Sequence, residues 1–451
     1  MKVSVDSIVI TPPVGIPLAG NGRADSRSRG VHDELRANYI YIEESGEKLL
    51  FIGMDLLGLK KETCDRIKSA VFAKTGLAAD RVHILCTHTH SGPNTMQIFK
   101  GFLTEQDLAN CDQYLDWLVA RVAEPVGGIL QAAVDGRIGF GRDVVEGYSF
   151  CRRVILKNGE CKMVFEEYDP AEIDHLTGPN GYPDMGIFLI TDAEEIVRGI
   201  LVYYTTHPAV VCGQDWLYSR DFIDRMTSDL QQRFGQDVVV LYANGAQGNL
   251  VAADPYKEFV TGWEEADRVG AGLAAGAIRI AERILTERRL TAVAPIRLAQ
   301  RSVTLPVRSI TKEDCKRAEE ILRTPRNEVR LHGLDPKVEA ESILEVANYP
   351  RVEEETIVSA ISISDTLMIT FPGEVFIEFA LKLIQASPVP NTMIFGLADD
   401  YVGYIPTESA FVEGGYEVKT SICSSKFSPH AGRILVENCL NLMDEMCKIG
   451  S

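Results

Sequence analysis

The sequence predicts an α/β fold in which mixed β-sheets are flanked by helices. Strand-like apolar runs alternate with helical patterns along the chain, and this alternation is typical of sheets covered by helices. Hydrophobic residues make up 45% of the 451 residues and charged residues 24%, which is ordinary for a globular protein with a large core. Because no repeat, low-complexity segment or Pro/Gly/Ser-rich linker divides the chain, we expect a single domain over residues 1–451.

Each predicted element follows from its hydrophobic pattern. Short apolar runs predict strands at residues 39–43, 49–53, 81–86, 186–191, 198–204, 238–242, 357–363, 366–371 and 393–396. Longer periodic patterns predict helices at residues 60–75, 104–134, 222–234, 263–287, 373–387 and 428–448. The stretch at about 311–352 is charged and helix-prone, so we expect a solvated helical excursion there.

Charge and composition limit the classes of binding partner and the cellular location that we expect. A formal net charge of −18 argues against nucleic acid or an anionic membrane surface. No leader pattern opens the chain and no apolar run approaches 18 residues, so we expect a soluble, cytoplasmic protein without membrane insertion. None of the ten cysteines forms a C-x-x-C pair, and we interpret them as reduced thiols. The oligomeric state stays open.

The run from His88 to Pro93 reads H-T-H-S-G-P and follows a buried strand. Side chains two apart on an extended segment point to the same side, so His88 and His90 are expected to enter one site. Imidazole is the commonest neutral metal ligand and an acid/base near neutral pH. The alternative interpretation is two polar histidines at a strand end, one of them bonded to a backbone carbonyl.

Two further candidates also follow strand-like runs. His207 comes directly after the run that ends at Tyr204, and Glu374 lies in the sequence F-P-G-E at the predicted opening of a helix. A carboxylate there often only compensates the helix dipole. Two histidines and a carboxylate with an open position nevertheless form a catalytic zinc pattern. His175 and His332 lie in polar segments and are predicted to be surface residues.

The sequence lacks the motifs that several other functions require. No G-x-S-x-G elbow is present for a hydrolase serine, and no phosphate-binding loop ends in Lys-Ser or Lys-Thr. The glycines at 270, 272 and 276 lie inside a helical pattern with the wrong spacing for a dinucleotide loop. We interpret them as small residues that allow close helix packing.

Taken together, these motifs resemble the catalytic domain of the neutral (alkaline, non-lysosomal) ceramidase superfamily, from the I-T-P-P sequence at residues 10–13 almost to the C-terminus. The resemblance implies a ceramidase-like fold with one Zn²⁺ as cofactor. The metal ligands that it implies are His88, His207, Glu374 and Tyr404.

The same resemblance implies the residues around the metal. Tyr416, twelve residues after Tyr404, matches a substrate-side tyrosine, and Arg152 matches a substrate-facing arginine, with Arg153 as the alternative. The substrate pocket is expected to include the following residues: His32 of a G-V-H segment, and Gln247 and Asn249 of the loop that holds the family's catalytic serine.

Two departures from the family pattern stand out. Val251 occupies the position of the catalytic serine, and a valine can neither donate a hydrogen bond nor act as a nucleophile. The chain also shows neither the secretion signal nor the immunoglobulin-like C-terminal domain of the ceramidases. We therefore expect a shorter, intracellular branch of the superfamily that acts on a small-molecule substrate other than ceramide.

The predicted activity is zinc-dependent hydrolysis of an amide or ester by metal-activated water. His90 is expected to bond the tetrahedral oxyanion or to shuttle a proton, and Arg152 and Tyr416 to anchor the substrate. Two alternatives stay open: a zinc-dependent lyase or isomerase acting on a small polar substrate, and a metal-stabilised binding protein without turnover.

Overall fold

The computed structural model describes residues 1–20, 26–324 and 336–449. Within these residues the strands are β1 (Lys2–Val9), β2 (Gly30–Val31), β3 (Arg36–Glu44), β4 (Glu47–Met54), β5 (Val82–Cys86), β6 (Val134–Val144), β7 (Phe150–Cys151), β8 (Arg153–Leu156), β9 (Cys161–Met163), β10 (Ile173–Leu176), β11 (Asp184–Asp192), β12 (Val197–Tyr204), β13 (Leu217–Tyr218), β14 (Val239–Asn244), β15 (Leu250–Val251), β16 (Leu290–Thr291), β17 (Ile296–Pro306), β18 (Glu353–Ile363), β19 (Thr366–Thr370), β20 (Glu374–Val375), β21 (Asn391–Phe395) and β22 (Tyr404–Ile405). The helices are α1 (Lys61–Thr75), α2 (Glu105–Ala123), α3 (Val126–Gln131), α4 (Phe222–Phe234), α5 (Trp263–Thr286), α6 (Lys312–Arg323), α7 (Pro336–Ala347), α8 (Ile377–Ala386), α9 (Glu408–Glu413) and α10 (Ala431–Ile449).

Two mixed sheets form the centre of the described structure. The larger has the order β14-β12-β11-β6-β1-β3-β4-β5, with β16 beside β6, and the smaller has the order β17-β18-β19-β21. The pairs β4/β5, β12/β14 and β19/β21 are parallel, whereas the other pairs in these two sheets are antiparallel. The mixed α/β architecture predicted from the sequence is confirmed.

The sheets pack face to face, and helices cover the outside. The ring of Phe395 on β21 lies 6.3 Å from that of Phe51 on β4 and 5.9 Å from that of Tyr203 on β12, centroid to centroid. Helices α1 to α3 cover one half of the outer face of the larger sheet, and α4 and α5 cover the other half. On the opposite side, α8 and α10 share one apolar cluster with both sheets. Because both faces of the larger sheet are covered, β3 is apolar on both of its faces.

The helix predicted at 104–134 is wrong in its extent. Helix α2 ends at Ala123, the short α3 follows Pro125, and Val134 already belongs to strand β6. Proline lacks the N–H that an interior helical position must donate, so Pro125 interrupts the helix. The predictions also omitted β1, β6 and β17, whose sequences mix polar and apolar residues and lack a continuous apolar run.

The charged excursion contains two helices that pack against each other, α6 and α7. Thr311 caps α6 in a capping box with Asp314, and most of α6 is exposed. Residues 325–335, including His332, lie outside the described residues. His175 is exposed, as predicted.

Three expectations about the rest of the chain can be compared with the structure. The nine cysteines whose side chains are described form no disulfide. In the same part of the chain, no helix combines the length and the apolar character that crossing a membrane requires. The predicted close helix packing is confirmed at Gly270, where a built Cβ would lie 2.4 Å from the carbonyl oxygen of Phe222 on α4, whereas Gly272 and Gly276 approach the side chains of Tyr148 and Val145.

Candidate metal centre

The H-T-H segment approaches the site differently from the prediction. Strand β5 ends at Cys86, and His88 has a φ of +74°, in the left-handed region. The backbone N–H of His88 donates to the carbonyl of Leu56 at 2.9 Å, which turns the chain away from the strand direction. The alternation of an extended strand therefore does not explain how His88 and His90 come together. They nevertheless meet, with ring centroids 5.1 Å apart.

Backbone carbonyls fix the tautomers of two histidines. Nδ1 of His88 lies 2.7 Å from the carbonyl of Leu57, and Nδ1 of His207 lies 3.1 Å from the carbonyl of Gln247 and 3.2 Å from that of Leu250. A carbonyl can only accept, so each Nδ1 carries the hydrogen. Burial, followed by the charge of Arg152, lowers the pKa of His207 to about 4. At neutral pH the Nε2 atom of His207 therefore presents a lone pair.

Glu374 brings a carboxylate to both lone pairs. It does not open a helix, since α8 begins three residues later, and it belongs instead to the two-residue strand β20. Its Oε2 lies 3.2 Å from Nε2 of His88 and 3.2 Å from Nε2 of His207. Burial by itself raises the pKa of Glu374, but the electrostatic influence of His88 and then of His207 outweighs burial and holds the pKa well below its usual range.

Strand pairing positions Tyr404. Strand β20 pairs in parallel with β22, and Glu374 lies directly opposite Tyr404 in this register. The guanidinium of Arg152 lies 5.3 Å from the ring of Tyr404, and the ring of Tyr416 lies 5.9 Å from it. Burial, and then the charge of Glu374, raises the pKa of Tyr404 well above its usual value. The structure therefore places this predicted ligand beside the cluster.

Two neighbouring arginines share one buried carboxylate. Nε of Arg152 donates to Glu417 Oε1 at 2.7 Å, and Arg153 donates to the other oxygen of Glu417. Arg153 also bonds the carbonyl of Gly414 at 2.7 Å, so its guanidinium points away from the histidines. Nη1 of Arg152 lies 3.3 Å from Nε2 of His207. Of the two alternatives, the structure places Arg152 beside the cluster.

His90 is more exposed than the other two histidines of the cluster. It is half-buried, whereas His88 and His207 are each only 1% exposed. Burial, followed by the neighbouring His88 and His207, lowers the pKa of His90 well below its ordinary value. A Cβ built on Gly20 would lie 2.4 Å from Nδ1 of His90, so a glycine is required for this approach.

The predicted pocket residues have different surroundings. His32 is exposed and stacks on Trp263 at 3.9 Å, and none of its described contacts is with the histidine cluster. Asn249 is buried and engaged, because its Oδ1 accepts from the N–H of Ile377 and its Nδ2 donates to Glu378. Gln247 is fully buried, and its side-chain amide has no hydrogen-bond partner among the described residues.

Val251 lies on β15 opposite Phe150 of β7. Arg152 directly follows β7, and its backbone N–H donates to the carbonyl of Asn249 at 3.0 Å. The loop at residues 247–251 therefore holds His207 through its carbonyls and Arg152 through its backbone. The loop therefore positions both residues through backbone groups alone.

The donor set fits a bound cation. Ligand atoms arranged tetrahedrally at about 2.0–2.1 Å from a zinc ion lie about 3.3 Å apart. The two distances of 3.2 Å from Glu374 Oε2 match this separation. Nε2 of His88 and Oε2 of Glu374 are buried without a hydrogen-bond partner among the described residues, and such atoms are costly unless a cation or a proton satisfies them. The ligand atoms of His88, His90 and His207 also lie within 4.8 Å of one another.

Sequence reasoning missed two residues of the site, Tyr401 and Glu417. The hydroxyl of Tyr401 donates to Glu374 Oε1 at 2.6 Å, and Glu417 binds both arginines. Tyr401 lies three residues before Tyr404, and Glu417 directly follows Tyr416. The partners of Glu417 are more than 260 residues away in the chain, so no local pattern could have revealed its role.

No protein-family model matches this chain. No curated protein matches it. A solved structure of neutral ceramidase from Pseudomonas aeruginosa is similar, with a TM-score of 0.74 over 98% of this chain and 74% of that chain, at 15% sequence identity. The fold is ceramidase-like. A structure described as ceramidase complexed with C2 matches equally, with a TM-score of 0.74, 15% identity, and 99% of this chain and 75% of that chain covered.

Proposed function

We propose that this ceramidase-like protein is a zinc-dependent hydrolase that cleaves an amide or ester bond in a small-molecule substrate other than ceramide. The observation that carries the proposal is the position of Glu374 Oε2, 3.2 Å from Nε2 of both His88 and His207. His88, His207, Glu374 and Tyr404 would hold the metal. When bound, zinc supplies water of lowered pKa, about 7, and polarises a carbonyl.

The chain's own residues would orient the substrate and move the proton. Arg152 is buried and held by Glu417, and its Nη2 has no hydrogen-bond partner among the described residues. A fixed guanidinium of this kind suits a carboxylate, carbonyl or hydroxyl oxygen of a substrate. Tyr416, beside Tyr404, would contact the same substrate. His90, neutral and half-buried, would accept a proton from the attacking water and pass it to the leaving group.

Val251 separates this proposal from the serine-assisted reaction that the resemblance implies for ceramidases. A valine side chain has no nucleophilic oxygen, and in this proposal the attacking oxygen comes from water. Incorporation of that oxygen into the product distinguishes hydrolysis from elimination or isomerisation, which instead exchange carbon-bound hydrogen.

The experiment is turnover of a panel of N-acyl and ester compounds in ¹⁸O-labelled water, followed by mass spectrometry of the products. We expect one ¹⁸O atom in the acid product, and we expect His90→Ala to lose turnover while keeping its metal. Exchange of substrate deuterium without ¹⁸O incorporation would favour the lyase or isomerase alternative. Binding without turnover, unchanged in His90→Ala, would favour a binding protein.

A further inference from the structure

A buried phenol contacts the carboxylate of the candidate metal centre. The hydroxyl of Tyr401 donates to Oε1 of Glu374 at 2.6 Å, and its ring stacks on that of His88 with centroids 6.4 Å apart at 20°. The other carboxylate oxygen, Oε2, is the one that faces the two Nε2 atoms. The two oxygens of Glu374 therefore have different surroundings.

Hydrogen bonds to the side chain of Asp400 hold the backbone of Tyr401 in place. The N–H groups of Tyr401 and Lys61 both donate to Oδ1 of Asp400 at 2.7 Å, and Thr356 donates to Oδ2 at 2.6 Å. A Cβ built on Gly58 would lie 2.7 Å from the Tyr401 ring. The outer side of Tyr401 lines a groove of about 1130 Å³. These contacts leave the phenol little freedom to turn away from Glu374.

We propose that Tyr401 is a positioning residue, which occupies Oε1 of Glu374 and so restricts this carboxylate to a single-oxygen contact with the metal through Oε2. This inference rests on the proposed metal function and assigns a role to a residue outside the predicted ligand set. A carboxylate with both oxygens available can bind a cation with two oxygens. The second oxygen would then take a coordination position that water or substrate needs.

Loss of the hydroxyl has two physical consequences. Oε1 would be left buried without a donor, since Glu374 is 1% exposed, and the carboxylate could rotate toward the metal. Partners that orient a metal ligand typically change metal affinity by about 10–100-fold when they are removed. The number of ligand atoms on the metal should also change, which a merely structural role would not cause.

The test is Tyr401→Phe in the full chain, with Tyr39→Phe as the matched control. Tyr39 is a buried tyrosine whose hydroxyl donates at 2.8 Å to the carbonyl of Val122, outside the cluster. The probes are Zn²⁺ affinity by competition with a chromogenic chelator, and the visible spectrum of the Co²⁺-loaded protein. We expect Tyr401→Phe to weaken Zn²⁺ binding about 10–100-fold and to change the Co²⁺ spectrum, and Tyr39→Phe to do neither.

The outcomes separate this inference from the proposed function. Wild-type affinity and spectrum in Tyr401→Phe would overturn the role of Tyr401 alone. A wild-type protein that binds no Zn²⁺ would overturn the metal function and the inference with it. If Tyr401→Phe does not fold, X-ray absorption on the zinc-loaded wild type decides, since a carboxylate bound through both oxygens contradicts the proposal and one bound through a single oxygen supports it.

Discussion

At the scale of single residues, the site depends on which ring nitrogen of His88 and of His207 carries the hydrogen. Leu57 accepts from Nδ1 of His88, and Gln247 and Leu250 accept from Nδ1 of His207, so that both rings present Nε2 to the same carboxylate oxygen. A guanidinium can only donate, so the approach of Arg152 to Nε2 of His207 also requires an unprotonated nitrogen. Neutral imidazole is the form that binds metal.

Glu417 gives the sharpest prediction at this scale. It is fully buried and forms ion pairs with Arg152 and Arg153. Glu417→Gln would leave two buried guanidinium groups without their shared carboxylate, and breaking a buried pair costs about 3–5 kcal/mol. We expect a loss of this size in the free energy of unfolding, measured with urea.

The control is Glu413→Gln, which removes a more exposed carboxylate 3.3 Å from Arg153. We expect it to cost less than about 1 kcal/mol, as partly exposed ion pairs usually do. Equal losses in the two variants would show that Glu417 has no special part in holding the arginines.

At the scale of elements, a buried ion pair joins α1 to the turn that follows β21. Nζ of Lys68 lies 2.7 Å from Asp399, and Nδ1 of His83 lies 3.1 Å from the same carboxylate. Burial alone raises the pKa of Asp399, but Lys68 and His83 outweigh it and lower the pKa below its usual value. The turn leads to Tyr401 and Tyr404, so this pair helps to position the candidate metal centre.

The lowered pKa sets the direction of a pH dependence. Its contribution to stability is present above the unfolded pKa of aspartate, about 3.9, and is lost as the pH falls toward the folded pKa. Lys68→Met removes the cation, so we expect it to lower the free energy of unfolding by about 3–5 kcal/mol at pH 7. The difference in the free energy of unfolding between Lys68→Met and wild type should become smaller below about pH 4. Urea unfolding of both proteins at several pH values measures this difference. A difference that does not change with pH would contradict this account.

The packing of α4 against α5 gives a prediction with an internal control. A Cβ on Gly270 would lie 2.4 Å from the carbonyl of Phe222, whereas one on Gly128 in α3 would have nothing within 4 Å. Gly270→Ala should destabilise the protein by about 1–3 kcal/mol, although alanine favours helix. Gly128→Ala should be neutral or stabilising by up to about 1 kcal/mol. Thermal unfolding checks both, and a stabilising Gly270→Ala would refute close helix packing.

Part of these elements could be predicted from the sequence. The apolar runs on β4, β5, β12 and β14 are continuous because both faces of these strands are buried in the fold, and such runs are readily recognised. Strands β1 and β17 are only partly buried, so their mixed sequences gave no comparable signal. The two-residue pairing of β20 with β22 could not be predicted, since register is set by the surrounding fold.

At the scale of the whole molecule, the site forms where distant parts of the chain meet. His88 follows β5, His207 follows β12, and Glu374 and Tyr404 come from a short pairing beyond β19 and β21. The sequence indicated His88, His207 and Glu374 because each follows an apolar run, whereas Tyr404 was indicated only by the family resemblance. Their mutual distances, and the roles of Tyr401 and Glu417, arise only from the packing of the two sheets.

The central claim is that His88, His207 and Glu374 hold one metal ion, and metal content tests it most directly. Plasma mass spectrometry should be performed on wild type, His207→Ala and the surface control His175→Ala, purified without added metal or chelator. We predict about one zinc per chain in wild type and His175→Ala, and a large loss of zinc in His207→Ala. Wild-type protein that contains no transition metal and takes up none when zinc is added, or full zinc content in His207→Ala, would contradict the account.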